Sequence, residues 1–153
     1  MADAQVRTRG TRFYIGTTAA TAASDTYAEI EGARAVDGAA GLTWSQIDAT
    51  VLTDGYKKTM KGVADAGSLT LGGPILREAA AGLAAGLAAL KAAAEDDADP
   101  DIYNVKVADA DGRITYLKVR VFSFTIQRGN NSNLLEYRSQ LLLQAAVTEA
   151  APA

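Results

Sequence analysis

The amino-acid sequence predicts a mainly β domain that carries a single α-helix, and three patterns support this. Tyr103, Val105 and Val107 alternate with polar residues, as do Leu135, Tyr137, Leu141, Leu143, Ala145 and Val147, which is the period of half-buried strands. Between those runs the apolar phase changes parity. Ile114 and Tyr116 share one face, Leu117, Val119 and Val121 the other, and Phe122, Phe124 and Ile126 the first again. A strand changes face only at a bulge or bend, so kinks are expected near Tyr116 and Phe122, as in strands that wrap a barrel-like core or pass between sheets. The third pattern is the four-and-three stepping of Leu76, Ala80, Leu83, Leu87, Leu90 and Ala94, one stripe of a helix that Pro74 would open.

In chain order, a polar arm over residues 1–11 leads into a brief β-favouring run at Phe13, Tyr14 and Ile15; Arg7, Arg9 and Arg12 are its candidate contact residues. Residues 16–24 are small and threonine-rich, a loop. A strand is expected over 26–30, and glycine-punctuated turns over 32–41. Residues 53–62 form a long polar, basic loop, in which Thr53, Asp54, Gly55, Tyr56, Lys57, Lys58, Met60 and Lys61 stand out. Gly82 and Gly86 weaken the helix but let a neighbouring surface approach its backbone. An acidic loop closes the helix, with Asp96, Asp97, Asp99 and Asp101 as its candidate site residues and Pro100 as the break. Asp111-Gly112 marks a tight hairpin, and residues 129–133 a loop. The closing strand is unusually long, with one wet face. Residues 1–148 read as one domain and 149–153 as a short flexible tail.

Composition removes most enzymology. The chain has 153 residues with Cys 0 and His 0, which excludes disulfides, thiolate or imidazole metal sites and histidine-based nucleophilic centres. Asp97, Asp99 and Asp101 alternate as in a calcium loop, but Ile102 stands where the turn glycine is required. Gly72-Gly73-Pro74 lacks the Lys-Ser/Thr of a phosphate loop. No enzyme, metal or cofactor is expected. The net charge of -3 disfavours general attraction to nucleic acid. No apolar run reaches membrane-spanning length, and the first residues lack a signal-peptide core, so folding in the cytoplasm is expected. Charge is unevenly placed: residues 95–111 hold seven acids and one lysine, and residues 113–128 four bases and no acid. This reads either as solvated faces or as complementary surfaces on identical subunits.

Residues 47–71 resemble the central signature of tail tube proteins from long-tailed, non-contractile bacteriophages, with Thr50 and the run Gly62-Val-Ala-Asp65-Ala-Gly67 at matching positions. The layout around them is similar over nearly the whole chain. The resemblance implies a β-sandwich or incomplete barrel with one helix at its side, six copies forming a ring, and rings stacking into a tube through which the genome passes. It implies no catalysis and no cofactor. Its implied partners are copies of itself, a tape measure protein, a tail terminator and a distal tail or baseplate protein, with double-stranded DNA only as passing cargo and no membrane. It implies a place in the virion after assembly in the host cytoplasm. The loop 53–62 should then reach a neighbouring subunit or the adjacent ring, Arg7, Arg9 and Arg12 should make arm contacts, and the acids at 96–101 should face the lumen or a rim. Longer members append an immunoglobulin-like domain, which is not expected here. A head-completion protein, a terminator and a contractile-type tube share the fold. A different class, a monomeric β-barrel with an apolar pocket lined by Phe122, Phe124 or Trp44, is the competing reading.

Overall fold

The computed structural model describes residues 10–53, 55–78, 82–98, 100–128 and 135–150. Within them the strands are β1 (Arg12–Ile15), β2 (Ala28–Glu29), β3 (Arg34–Asp48), β4 (Thr59–Pro74), β5 (Arg77–Glu78), β6 (Gly82–Leu83), β7 (Tyr103–Ala108), β8 (Ile114–Val121), β9 (Thr125–Gln127), β10 (Glu136–Leu143) and β11 (Thr148–Ala150); the helix α1 spans Ala85–Glu95. One antiparallel sheet runs β2-β1-β7-β8-β10-β4-β3, with β9 alongside β10 and β11 alongside β8. The core lies on one face of this sheet. Phe13 and Ile15, Val105, Leu117, Val119 and Val121, Tyr137, Leu141 and Leu143, and Leu69 and Leu71 point into it, and Leu87, Leu90 and Ala93 of α1 close it from the side.

The hairpin at residues 109–112 forms as expected: the Gly112 N–H donates to the Asp109 carbonyl at 3.0 Å, with Gly112 at φ 90. Alternation is equally faithful in β10, where Tyr137, Ser139, Leu141 and Leu143 are buried. The strand is not long, however. After Leu143 pairs Val119, the next pair is Thr148 with Tyr116, so two extra residues loop out on this side and the ladder resumes as β11. Glu149 and Ala150 therefore belong to a strand rather than to a flexible tail.

Of the two expected kinks, one exists. β8 keeps a constant register with β7 from Val119 through Ile114, so nothing bends at Tyr116; Tyr116 simply faces outward, where it meets Tyr27 at 6.3 Å. At Phe122 the strand does break. Val121 pairs Leu141 and Thr125 pairs Arg138, so three residues oppose two, a bulge that re-aims the chain. The Phe122 N–H is held by the Gln140 carbonyl at 2.8 Å.

The helix is shorter than its sequence stripe. β4 pairs β10 through Pro74, Leu76 accepts a backbone hydrogen bond from Ala84 at 2.9 Å, and β5 and β6 form a small hairpin. Gly82 at φ +85 is a turn position, not a close approach. Gly86 is the close approach: a Cβ there would collide with the Glu29 carbonyl and the Ile30 backbone. With the helix starting at Ala85, Ala93 is buried and Ala94 only partly so. The expected turns over 32–41 are also replaced by strand, because β3 begins at Arg34 and uses register shifts to absorb its glycines.

Candidate functional site: the projecting β3–β4 arm

β4 divides into two halves. From Ala66 to Gly73 its residues are buried or partly buried, but from Thr59 to Asp65 every residue except Gly62 is exposed, so both faces are open. Its partner there is the end of β3, with Thr43 paired to Asp65, Trp44 to Ala64, Gln46 to Lys61, Ile47 to Met60 and Asp48 to Thr59. At about 3.4 Å per residue, this ladder carries its connecting turn about 20 Å beyond the core. Nine large hydrophobic residues are exposed among those described; Leu42, Trp44, Ile47, Val51, Leu52, Tyr56, Met60 and Val63 lie on this arm and its root, and Phe122 lies elsewhere. β3 pairs only β4, so its outer edge is open among the described residues.

Local chemistry makes the arm stiff. The Thr50 hydroxyl accepts from the Lys58 N–H at 2.9 Å and donates to the Lys58 carbonyl at 3.2 Å, clipping the turn shut. Asp48 accepts the Thr50 N–H at 2.9 Å, and hydrogen bonds from Thr50 hold its carboxyl below the ordinary value. Ser45 Oγ accepts the Val63 N–H at 2.8 Å where β4 carries an extra residue. Lys61 Nζ lies 5.5 Å from the Trp44 ring. At the root, Asp65 accepts the Gly67 N–H at 2.9 Å, and Gly67 sits at φ 97, which a side chain rarely adopts. Thr50, Gly62, Asp65 and Gly67, the residues that carry the family resemblance, are thus the clip, a close-packed position against Ser45 and Ile47, and the root of one hairpin.

The polar loop expected over 53–62 is relocated. The connection runs from residue 49 to 58, and Met60 and Lys61 stand on β4, because the strand ladder extends further than the polar composition suggests. Thr53, Gly55, Tyr56, Lys57 and Lys58 are exposed in that connection; Asp54 lies outside the described residues. Arg7 and Arg9 lie outside them too, whereas Arg12 is an exposed residue of β1, 3.9 Å from Glu29.

Two of the acids after α1 have partners within the chain. Asp96 accepts the Tyr103 hydroxyl at 2.6 Å and the Ala98 N–H at 3.0 Å, which hold its carboxyl below the usual range and push Tyr103 up to about 12. Asp101 pairs Arg120 at 3.0 Å, joining the acidic and basic blocks inside one chain, as Asp111 with Arg113 does at 3.8 Å. Asp97 is exposed, and Asp99 lies outside the described residues. A second cluster fixes the loop between β1 and β2. Burial raises the Asp25 carboxyl, but hydrogen bonds from Asn104, Thr17 and Thr26 outweigh it and bring the group down to about 2. Nothing in the sequence pattern marked Asn104 as the buried centre of that cluster.

Among the described residues, Trp44 and Phe124, two candidates of the competing reading, do not come together in one pocket. Trp44 stands on the arm, paired to Ala64, about 30 Å along β4 from Gly73. Phe124 stacks on Tyr137 beside that same Gly73, with centroids 5.6 Å apart.

No protein-family model matches the sequence, and no curated sequence is similar enough to count as a relative. Solved structures do match. The chain is similar to a subunit of the tail of an empty gene transfer agent particle, solved with C6 helical symmetry (TM-score 0.63, 16% identity, covering 97% of this chain and 100% of that one). It is similar to the SPP1 tail tube subunit (TM-score 0.69, 10% identity, 96% and 80% covered). A component of the anti-feeding prophage baseplate also matches (TM-score 0.70, 10% identity, 99% and 98% covered). The chain has the fold of these tail tube subunits.

Proposed function

We propose that the chain is a non-catalytic structural subunit that self-assembles into hexameric rings, stacked as the hollow tail tube of a phage-like particle through which DNA is delivered. The observation that carries this is the arm: a stiff hairpin with eight exposed large hydrophobics, bordered by the open edge of β3. A monomer gains nothing from such a surface, and an apolar, unpaired edge left in water invites association with other chains. Copies of the same chain close both defects at once, by edge pairing around a ring and by contact along the tube axis. The resemblance of residues 47–71 to the non-contractile signature supports the reading over that of a terminator or a contractile-type tube, which share the fold. A tape measure protein, a terminator and a baseplate protein are the expected neighbours, the virion is the expected location, and assembly takes place in the bacterial cytoplasm.

The test is assembly of the purified chain over a concentration series, followed by size-exclusion chromatography and negative-stain microscopy. Hollow rods or sixfold rings are expected. Removal of residues 51–57, which shortens the turn and leaves the core strands intact, is expected to give a folded monomer that forms neither. A chain that remains monomeric at every salt and protein concentration overturns the proposal.

A further inference from the structure

The proposed assembly leaves open where the tip of the arm lands, and the one exposed large hydrophobic away from the arm among the described residues supplies an answer. Phe122 is 58% exposed, at the bulge that ends β8. The register of β7 with β8, in which Tyr103 pairs Val119, sets Asp101 level with Val121 and beside Phe122. The loop after α1 therefore flanks Phe122. With Asp96 and Asp101 engaged within the chain, Asp97 and Glu95 are the acids it presents to solvent among the described residues, Glu95 with Lys91 at 3.9 Å. The tip of the arm has the opposite character: Val51, Leu52 and Tyr56 are exposed, and Lys57 and Lys58 follow directly.

We infer that the tip of one copy docks on the Phe122 surface of the next, its apolar side chains covering the phenyl ring and its lysines meeting Asp97 and Glu95. This rests on the proposed self-assembly and names its receptor surface. The occupant is a second copy and not the same chain. Val121 is level with Leu141, and Leu141 with Leu69, which stands ten residues along β4 from Thr59. About 33 Å of strand therefore separates tip and receptor within one molecule. Two different patches, one at the arm tip and one on the body of the sheet, form a head-to-tail contact, which propagates from copy to copy and so suits stacking. The charge match orients the encounter and selects against tip-to-tip pairing.

Because the chain has no cysteine, the contact can be trapped. Leu52→Cys and Phe122→Cys are made separately, one carrying a size tag, then mixed and oxidised; both positions are exposed, so neither change costs core packing. A mixed disulfide dimer is expected as the dominant product, with homodimers scarce. In parallel, the unmodified protein is treated with a zero-length carboxylate-to-amine crosslinker and digested. Peptides joining Lys57 or Lys58 to residues 95–97 are expected in assembled material and absent from monomer. Rods or rings that form while both products are missing overturn this contact and leave the tube reading standing. An unmodified chain that never assembles overturns the tube reading itself.

Discussion

Replacing Leu52 by serine separates assembly from folding. Leu52 is fully exposed and belongs to no core cluster, so the monomer gives up no buried surface when the side chain is shortened and made polar. Assembly does give something up. Burying a leucine side chain stabilises by about 2 kcal/mol, and because none of Leu52 is covered in the monomer, nearly the whole amount is available at a contact. At 1.4 kcal/mol per tenfold, that raises the concentration needed for polymerisation about 30-fold. The assay is a pair of measurements on the same preparations: sedimentation across a dilution series for the critical concentration, and thermal melting of the dilute monomer. The expected result is a large shift in the first and a change within about 0.5 kcal/mol in the second, as for surface substitutions. A variant that assembles at the original concentration, or one whose monomer melts many degrees lower, refutes the reasoning.

Three further outcomes follow from the core and the loop cluster. Leu87→Asp places a carboxylate at a position with 0% exposure and should destabilise the monomer by several kcal/mol, read as loss of the folded state in circular dichroism; a folded, soluble variant rejects the placement of α1. Ser139 is buried with no partner for its hydroxyl among the described residues, so Ser139→Ala should stabilise by about 1 kcal/mol; a lowered urea midpoint would mean that the hydroxyl is satisfied. The Asp25 carboxyl, at about 2 when folded against 3.8 when free, contributes stability that is present above pH 4 and lost as pH falls toward 2. Amide shifts of Thr17 and Thr26 should move together in that window; Asp25→Asn should abolish the movement, and persistence of it would assign the titration to another group.

What the sequence revealed and what it hid divide along physical lines. The 109–112 hairpin and the buried parity of β10 were legible because local turn chemistry and one-sided burial agree there. The bulge at Phe122 was legible because a parity switch has few other causes. The start of α1 was not: alanine-rich residues around 76–84 fit a helical stripe, yet pairing of β4 with β10 through Pro74 and the φ of +85 at Gly82 override that propensity. β3 was hidden by its own glycines: Gly41 lies in a register shift and Gly38 stands in register opposite Leu69, and neither is a turn. The arm escaped periodicity analysis for a plainer reason. Alternation reports a difference between two faces, and a hairpin exposed on both shows none; only the family resemblance pointed at the segment. Its interleaving of apolar residues with lysines was the available signal, and it reads as a loop when no core is assumed nearby.

The continuity of β4 has a mechanical consequence. Its residues 68–72 are clamped between β3 and β10, and the same backbone, still paired with β3, runs on to Thr59 past one extra residue between Lys61 and Ala64. No swivel separates body from tip, so a copy seized by its tip is also set in azimuth and tilt, as a keyed shaft is by its slot. In the proposed tube, each capture would hand the next arrival a specified pose, and straightness over many layers would be a property of one strand.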